Sequence, residues 1–239
     1  MPDDLDSQVR RFDEDRWLAS RFASPELRAR LIAIYALNHE IARAGEVVST
    51  PQLADIRLAW WRDAIDEIYA AKPARAHPAL AAFAGVAPHV PDRWSEILES
   101  RKRDEAFASW SEVGVFIERT ARAIMSMALG ASELSDADHR RLMPVLTDVA
   151  LAWGHVALAR SSWFAARAPG PLSDGVELAA AAYRRAKSGC AAIPASAFPA
   201  IGYVTLVPGY VRALRRMERE TPLLTRQFRL LTGAATGRL

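Results

Sequence analysis

Three sets of side chains in this chain have types and spacings that could do chemistry. The first is acidic: Asp63, Asp66 and Glu67 lie within one helical turn. The four-residue step from Asp63 to Glu67 puts two carboxylates on one helix face, as a pair of magnesium ligands would need. Arg57 and Arg62 are interleaved, so the pattern equally describes a solvated, ion-paired face. The second set is Glu40, Arg43 and Glu46, each three residues from the next. It reads either as a surface ion-pair ladder or as a polar strip pointing into a helical cavity. The third is histidine. His39, His77, His89, His139 and His155 include no i, i+4 pair and no His-Glu-x-x-His, which argues against a zinc-protease type of site. His77 and His89 neighbour prolines and read as loop residues. His155, beside Trp153 and Gly154 on an apolar stretch, reads as a hydrogen-bonded core residue.

Other chemistries are excluded by what the chain lacks. Its one cysteine, Cys190, permits no internal disulfide and no multi-cysteine metal site. It reads as a small buried or semi-buried residue. There is no glycine-rich phosphate loop and no Gly-x-Ser-x-Gly elbow. The 31 Lys and Arg stand against 28 Asp and Glu, and no Lys-rich tract occurs, so nucleic acid is not an expected partner. Met1 to Glu14 is acidic and polar and does not read as a signal peptide. No window approaches 18 uninterrupted apolar residues. The expected location is cytoplasmic, with a position peripheral to the inner membrane face as a variant.

The elements that must position these residues are helical. Ser24-Pro25-Glu26 gives a cap, a first-turn proline and a first-turn acid, predicting a helix to about Val48. Thr50-Pro51-Gln52 repeats the signal, and Leu53, Ile56, Trp60, Ala64 and Ile68 then form one apolar stripe, ended by Lys72-Pro73. A helical segment follows Pro91-Asp92. Ser111 to Leu129 is amphipathic and stopped by Gly130. Ser135 to about Arg167 is long and apolar, with a break expected at Pro144. Ser173 to Ala192 and Ala200 to Glu220 are further helices, the latter interrupted at Pro208-Gly209. Strand signals are nearly absent. The expectation is an all-α, single-domain bundle of roughly eight helices. Its domain covers residues 15–220, between a polar extension (1–14) and a basic tail (221–239).

Two segments together resemble the squalene/phytoene synthase family. The first is the Tyr-Ala helix around Tyr35-Ala36, followed by Trp60-Trp61-Arg62-x-x-hydrophobic-Asp66. The second is Tyr183-Arg184-Arg185-Ala186 with Tyr210-Val-Arg-Ala-Leu214. Arg101-Lys102-Arg103-Asp104 is similar to the start of a central family helix. The resemblance spans about residues 15 to 217. It implies an isoprenoid synthase type of helical bundle, in which facing carboxylates hold Mg²⁺ and the metal binds the diphosphates of two prenyl substrates.

The sequence departs from that pattern where the chemistry sits. Aligned on Tyr35-Ala36, the first Asp-x-x-x-Asp falls on Ala42 and Glu46. Arg43 stands where the family often has another Asp, and His39 where an Arg commonly precedes the motif. In the second motif Arg160 persists, but Ser161-Ser162 follow it. Asn38-x-Glu40-Ile41-Ala42-Arg43 resembles a subgroup associated with assembly of respiratory complex I and thought not to synthesise prenyl products.

The resemblance therefore implies a non-catalytic or repurposed protein with no cofactor. It would bind an isoprenoid or prenyl diphosphate-like ligand, or a protein partner. Tyr35, Asn38, His39, Arg43, Glu46 and Arg160 would form the polar lining of its cavity, with Trp60 as a wall or core residue. Arg43, His39 and Arg160 would hold an anionic head group without metal. Two alternatives stay open. One is a working Mg-dependent prenyltransferase with a rearranged site of Glu46, Asp63 and Asp66. The other is a membrane-surface adaptor. In the tail, Arg212, Arg215, Arg216, Arg219, Arg226 and Arg229 interleave with Leu214, Met217, Leu223, Leu224, Phe228 and Leu231, either as a basic amphipathic helix on a membrane or as a last helix packed on the bundle with a solvated basic face.

Overall fold

The computed structural model describes residues 4–44, 51–102, 105–190, 192–218 and 220–238. Glu46, Arg103, Asp104 and Arg219 lie outside them. The chain is all-α. Two short helices, α1 (Leu5–Phe12) and α2 (Glu14–Ser20), lead into the long α3 (Pro25–Ala44) and α4 (Pro51–Tyr69). Then come α5 (Pro78–Ala84), α6 (Trp94–Arg101), α7 (Trp110–Ile117) and α8 (Ala123–Gly130). They are followed by α9 (Asp136–Leu142), α10 (Leu146–Ala159), α11 (Ser162–Ala165) and α12 (Leu172–Gly189). The last three are α13 (Phe198–Ile201), α14 (Val207–Arg215) and α15 (Leu223–Thr236). Among the described residues the nearest thing to a sheet is one isolated bridge, Ala192 to Arg238.

The local signals explain these bounds. The Ser24 hydroxyl accepts from the Leu27 amide at the start of α3. Pro144 sits in a 3₁₀ turn (Met143–Val145) that separates α9 from α10, so the expected break is real. α7 and α8 form one rod joined by a π turn at Glu118–Arg122. α3 and α10 are the central helices. Leu31, Ile34, Tyr35, Leu37 and Ile41 of α3 are fully buried, as are Val149, Ala152 and Val156 of α10. α10 crosses the α7 rod at Gly154, where a Cβ would overlap the Ile117 side chain, so only glycine permits this approach. The run Asp136–Ala159 is long and apolar enough to cross a membrane by composition. Most of it is nevertheless buried, as a core helix is.

The structure corrects one expectation and gives two terminal segments their place in the fold. The stripe on α4 is rotated: Leu58, Trp61, Ala64, Ile65 and Ile68 are buried, whereas Leu53, Ile56 and Trp60 are exposed. α4 packs against α3, α5 and α6, and its buried side chains run from Leu58 onward. Residues 4–14 of the polar extension are built into the fold: α1 packs on α3, and Asp6 accepts from the Trp17 indole at 2.9 Å. The basic segment 221–238 holds a last helix packed on the bundle. α15 packs on α2 and on the 3₁₀ turn Gly202–Leu206, burying Arg226, Leu230 and Gly233.

Candidate functional site

A cavity of about 550 Å³ opens between the α1–α2 junction, α3, α6, the α7–α8 rod, α10 and the start of α15. Its inner wall is apolar, with Phe116, Ile117, Ile124, Trp153 and Leu158. The π turn contributes Thr120 and Ala121. Its mouth is charged, lined by Asp13, Glu14, Asp15, Arg16, Arg160, Glu220 and Arg226.

Asp15 is the hub of that mouth and is only 4% exposed. One of its oxygens accepts from Arg226 at 2.9 Å; the other accepts from the Tyr210 hydroxyl at 2.7 Å and Arg160 at 3.3 Å. Arg226 also donates to Glu14 at 2.5 Å and to the Thr221 carbonyl at 3.1 Å. Arg160 holds both oxygens of Glu220, at 2.9 and 3.1 Å, and lies 4.1 Å over the Tyr210 ring. Arg16 donates to Asp13 at 2.6 Å and sits over the rings of Tyr35 and Tyr203. The buried charges Asp15, Arg16 and Arg226 are therefore desolvated but paired, which is what burial demands.

Helix ends help to place these groups. Asp15 is in the first turn of α2, where the dipole favours an anion, and Arg160 follows the last turn of α10, where it favours a cation. Burial disfavours the Arg226 cation, but the hydrogen bond and charge of Asp15 outweigh that and raise its pKa. The same balance raises Arg160, with Asp15 and Glu220 as the compensating charges. Burial, then the Asp15 charge, pushes the Tyr210 phenol well above its usual range.

Of the side chains proposed from sequence, Asn38 and Arg160 line the cavity. Asn38 Oδ1 is buried and has no hydrogen-bond partner among the described residues. Tyr35 is buried behind Arg16 and donates to the Ala200 carbonyl at 3.3 Å. His39 stacks on Phe12, with ring centroids 3.9 Å apart, and burial lowers its pKa. Arg43 is exposed and pairs with Glu40 at 3.6 Å, which is one step of the surface-ladder reading. Arg43, His39 and Arg160 do not converge, because Arg160 is engaged by Asp15 and Glu220 instead. Trp60 is neither wall nor core: it lies on the surface, edge-on to buried Trp61 and under Arg75. Glu46 lies outside the described residues. Asp63 and Asp66 are exposed, and Glu67 is held by Arg75 at 2.8 and 2.9 Å.

His155 is a core residue, as expected, but its Nδ1 has no partner among the described residues, and burial lowers its pKa to about 4. Sequence reasoning missed Asp15, Arg16 and Glu220 as cavity-mouth residues and Tyr210 as the buried donor to Asp15, and read Arg226 into a basic helix face. A signal existed in the acidic run Asp13-Glu14-Asp15 at a helix start, but its arginine partners are up to 212 residues away.

The squalene/phytoene synthase family model matches residues 9–170. The chain belongs to the squalene/phytoene synthase family. Among curated proteins, this family member is similar to complex I assembly factor 6 of Bos taurus, 26% identical over 138 residues. The human protein of the same name is 25% identical over 138 residues. In both cases the match covers 55% of this chain and 41% of the relative, so the chain aligns to about two fifths of the length of these proteins. Among solved structures, a dehydrosqualene synthase crystallised with a ligand superposes with a TM-score of 0.68. That match covers 97% of this chain and 94% of the other at 12% identity, and so establishes the shared isoprenoid synthase fold.

Proposed function

We propose that this family member does not join prenyl groups and serves as an assembly partner for a respiratory complex, keeping its cavity as a seat for an apolar, isoprenoid-like molecule. The observation that carries the first part is the paired state of the cavity mouth. Diphosphate departure in the family's chemistry needs a hard cation held by free carboxylate oxygens. Both oxygens of Asp15 are engaged by Arg226, Arg160 and Tyr210, and both of Glu220 by Arg160. Asp13 is paired with Arg16, and the aligned motif positions hold Ala42, Ser161 and Ser162. No group of three or more potential metal ligands occurs among the described residues. These residues do not fit a magnesium cluster.

The assembly role is supported by the relatives named complex I assembly factor 6. The ligand seat is supported by the apolar wall, by a volume in the usual range of small-molecule sites, and by Asn38 Oδ1, an acceptor suited to a ligand hydroxyl. The rearranged-site alternative gains nothing from Asp63 and Asp66, which do not line the cavity.

Two measurements test the reading. With farnesyl or geranylgeranyl diphosphate and Mg²⁺, no pyrophosphate release is expected; formation of a squalene- or phytoene-like product overturns the first part. Deleting the gene in its host should reduce assembled NADH–ubiquinone oxidoreductase on native gels. An unchanged level overturns the assembly role.

A further inference from the structure

The C-terminal helix carries its charges and its apolar groups on the opposite sides from those expected of a surface helix. α15 has two charged residues, Arg226 and Arg229. Both turn inward: Arg226 reaches Asp15, and Arg229 donates to the Thr205 carbonyl at 3.2 Å. The outward side carries Leu224, Phe228 and Leu231, which follow one another at four and three residues and so form one row. They are 79%, 71% and 59% exposed, and Met217, in the turn before the helix, is 94% exposed. Thr225, Thr232 and Ala235 complete that face, with no charge on it. A free surface helix places its charges on this side.

The surroundings are basic. From residue 180 to the end the chain has ten Lys and Arg against two Asp and Glu. Gly209 of α14 packs beside Arg229, with the arginine Nε 3.7 Å from where a Cβ would stand. Arg212 lies one turn beyond Gly209 and lines the groove between α14 and α12, and Arg216 caps the end of α14 just before Met217. Both are exposed. Behind them a groove of about 380 Å³ between α12 and α14 is lined by Arg184, Lys187, Arg212 and Arg215. Of the acids nearby, Glu14 and Asp15 are held by Arg226, Glu177 by Arg215 and Glu220 by Arg160, which leaves Glu218 in the turn.

We infer that this face of α15 seats on an anionic lipid bilayer. Leu224, Phe228 and Leu231 enter the boundary between headgroups and acyl chains, and Arg212, Arg216, Arg184 and Lys187 meet the lipid phosphates. A convex, uncharged apolar ridge flanked by cations matches the two layers of such a surface: hydrocarbon beneath, negative headgroups around. A protein groove would not require the flanking cations, and a second copy of this chain would set those cations against each other. The basis differs from the basic amphipathic helix expected from sequence. The insertion is apolar, and the cations come from the neighbouring helices.

The test uses the full chain and phosphatidylcholine vesicles with or without about one third phosphatidylglycerol. Co-sedimentation is expected with the anionic vesicles and much reduced with the neutral ones. Replacing Leu224 and Phe228 together by Ser should abolish pelleting while the helical circular dichroism and melting temperature stay unchanged. Arg212→Ala and Arg216→Ala should each weaken binding about fivefold. Cys190 is buried, so Phe228→Cys provides a singly accessible thiol for an environment-sensitive dye. A blue shift on adding anionic vesicles is expected. The inference is overturned if the dye spectrum does not move, or if the Leu224/Phe228 double variant pellets as well as the parent. It is also overturned if the parent stays in the supernatant while self-associating through this face.

Discussion

The mouth of the cavity and the outer side of α15 are built from the same short stretch of chain, yet they invert each other. At the mouth, Arg226 is buried among Asp15, Glu14 and the Thr221 carbonyl. Two residues on, Phe228 is largely exposed. A buried charge is tolerable only when its partners replace water, and here carboxylates from α2 do so. An exposed apolar row has no such internal compensation, so its explanation lies outside the chain. The mouth therefore reads as structure, a lattice that ties α2, α10, α14 and α15 together. The outer side of α15 reads as function.

Breaking the lattice should have the largest effect. Asp15→Ala leaves Arg226 and Tyr210 without their shared acceptor and should destabilise the fold by about 3–5 kcal/mol, read by urea or thermal unfolding. A loss below about 1 kcal/mol would show that the mouth is wetter than the paired geometry implies.

A second internal charge question concerns His155. Its pKa is near 4 in the folded chain and about 6.5 when unfolded. Between those values the unfolded state holds a proton that the folded state does not. Stability is thus full above about pH 6.5 and falls as pH drops toward 4, by up to about 3 kcal/mol. His155→Gln should flatten that dependence in pH-resolved melts.

Packing comes next. Gly154→Ala forces α10 away from Ile117 and should cost about 1–3 kcal/mol; Ile117→Ala in the same chain should recover part of it. The smallest effect belongs to the surface. Arg43→Ala, and the Leu224 and Phe228 replacements by Ser, should each change stability within about 0.5 kcal/mol. A large loss from the latter would mean that the outer side of α15 is structural after all, and the contrast between the two regions would collapse.

The helices themselves were legible because their signals are local. Ser24-Pro25, Pro144 and the periodic apolar runs act within one or two turns, and the structure keeps all three. The Tyr-Ala and Trp-Trp-Arg segments carried the family. Which face of a helix is buried was less legible. On α4 a stripe through Leu53, Ile56 and Trp60 looked continuous with Ala64 and Ile68, but the buried side chains run from Leu58 onward.

The candidate site divides in the same way. Asn38 and Arg160 were found because motif positions pointed to them, whereas Arg43 and Trp60, on adjoining helices, turned to the surface. By itself the sequence determined an all-α chain of this family. Only the tertiary structure decided that Asp15 is buried, that Arg160 and Arg226 converge on it, and that α15 turns its arginines inward. The physical reason is range. Helix propensity and capping act between residues a few positions apart, but the pairing of a desolvated charge depends on a partner that may be 211 residues away, as Arg226 is from Asp15.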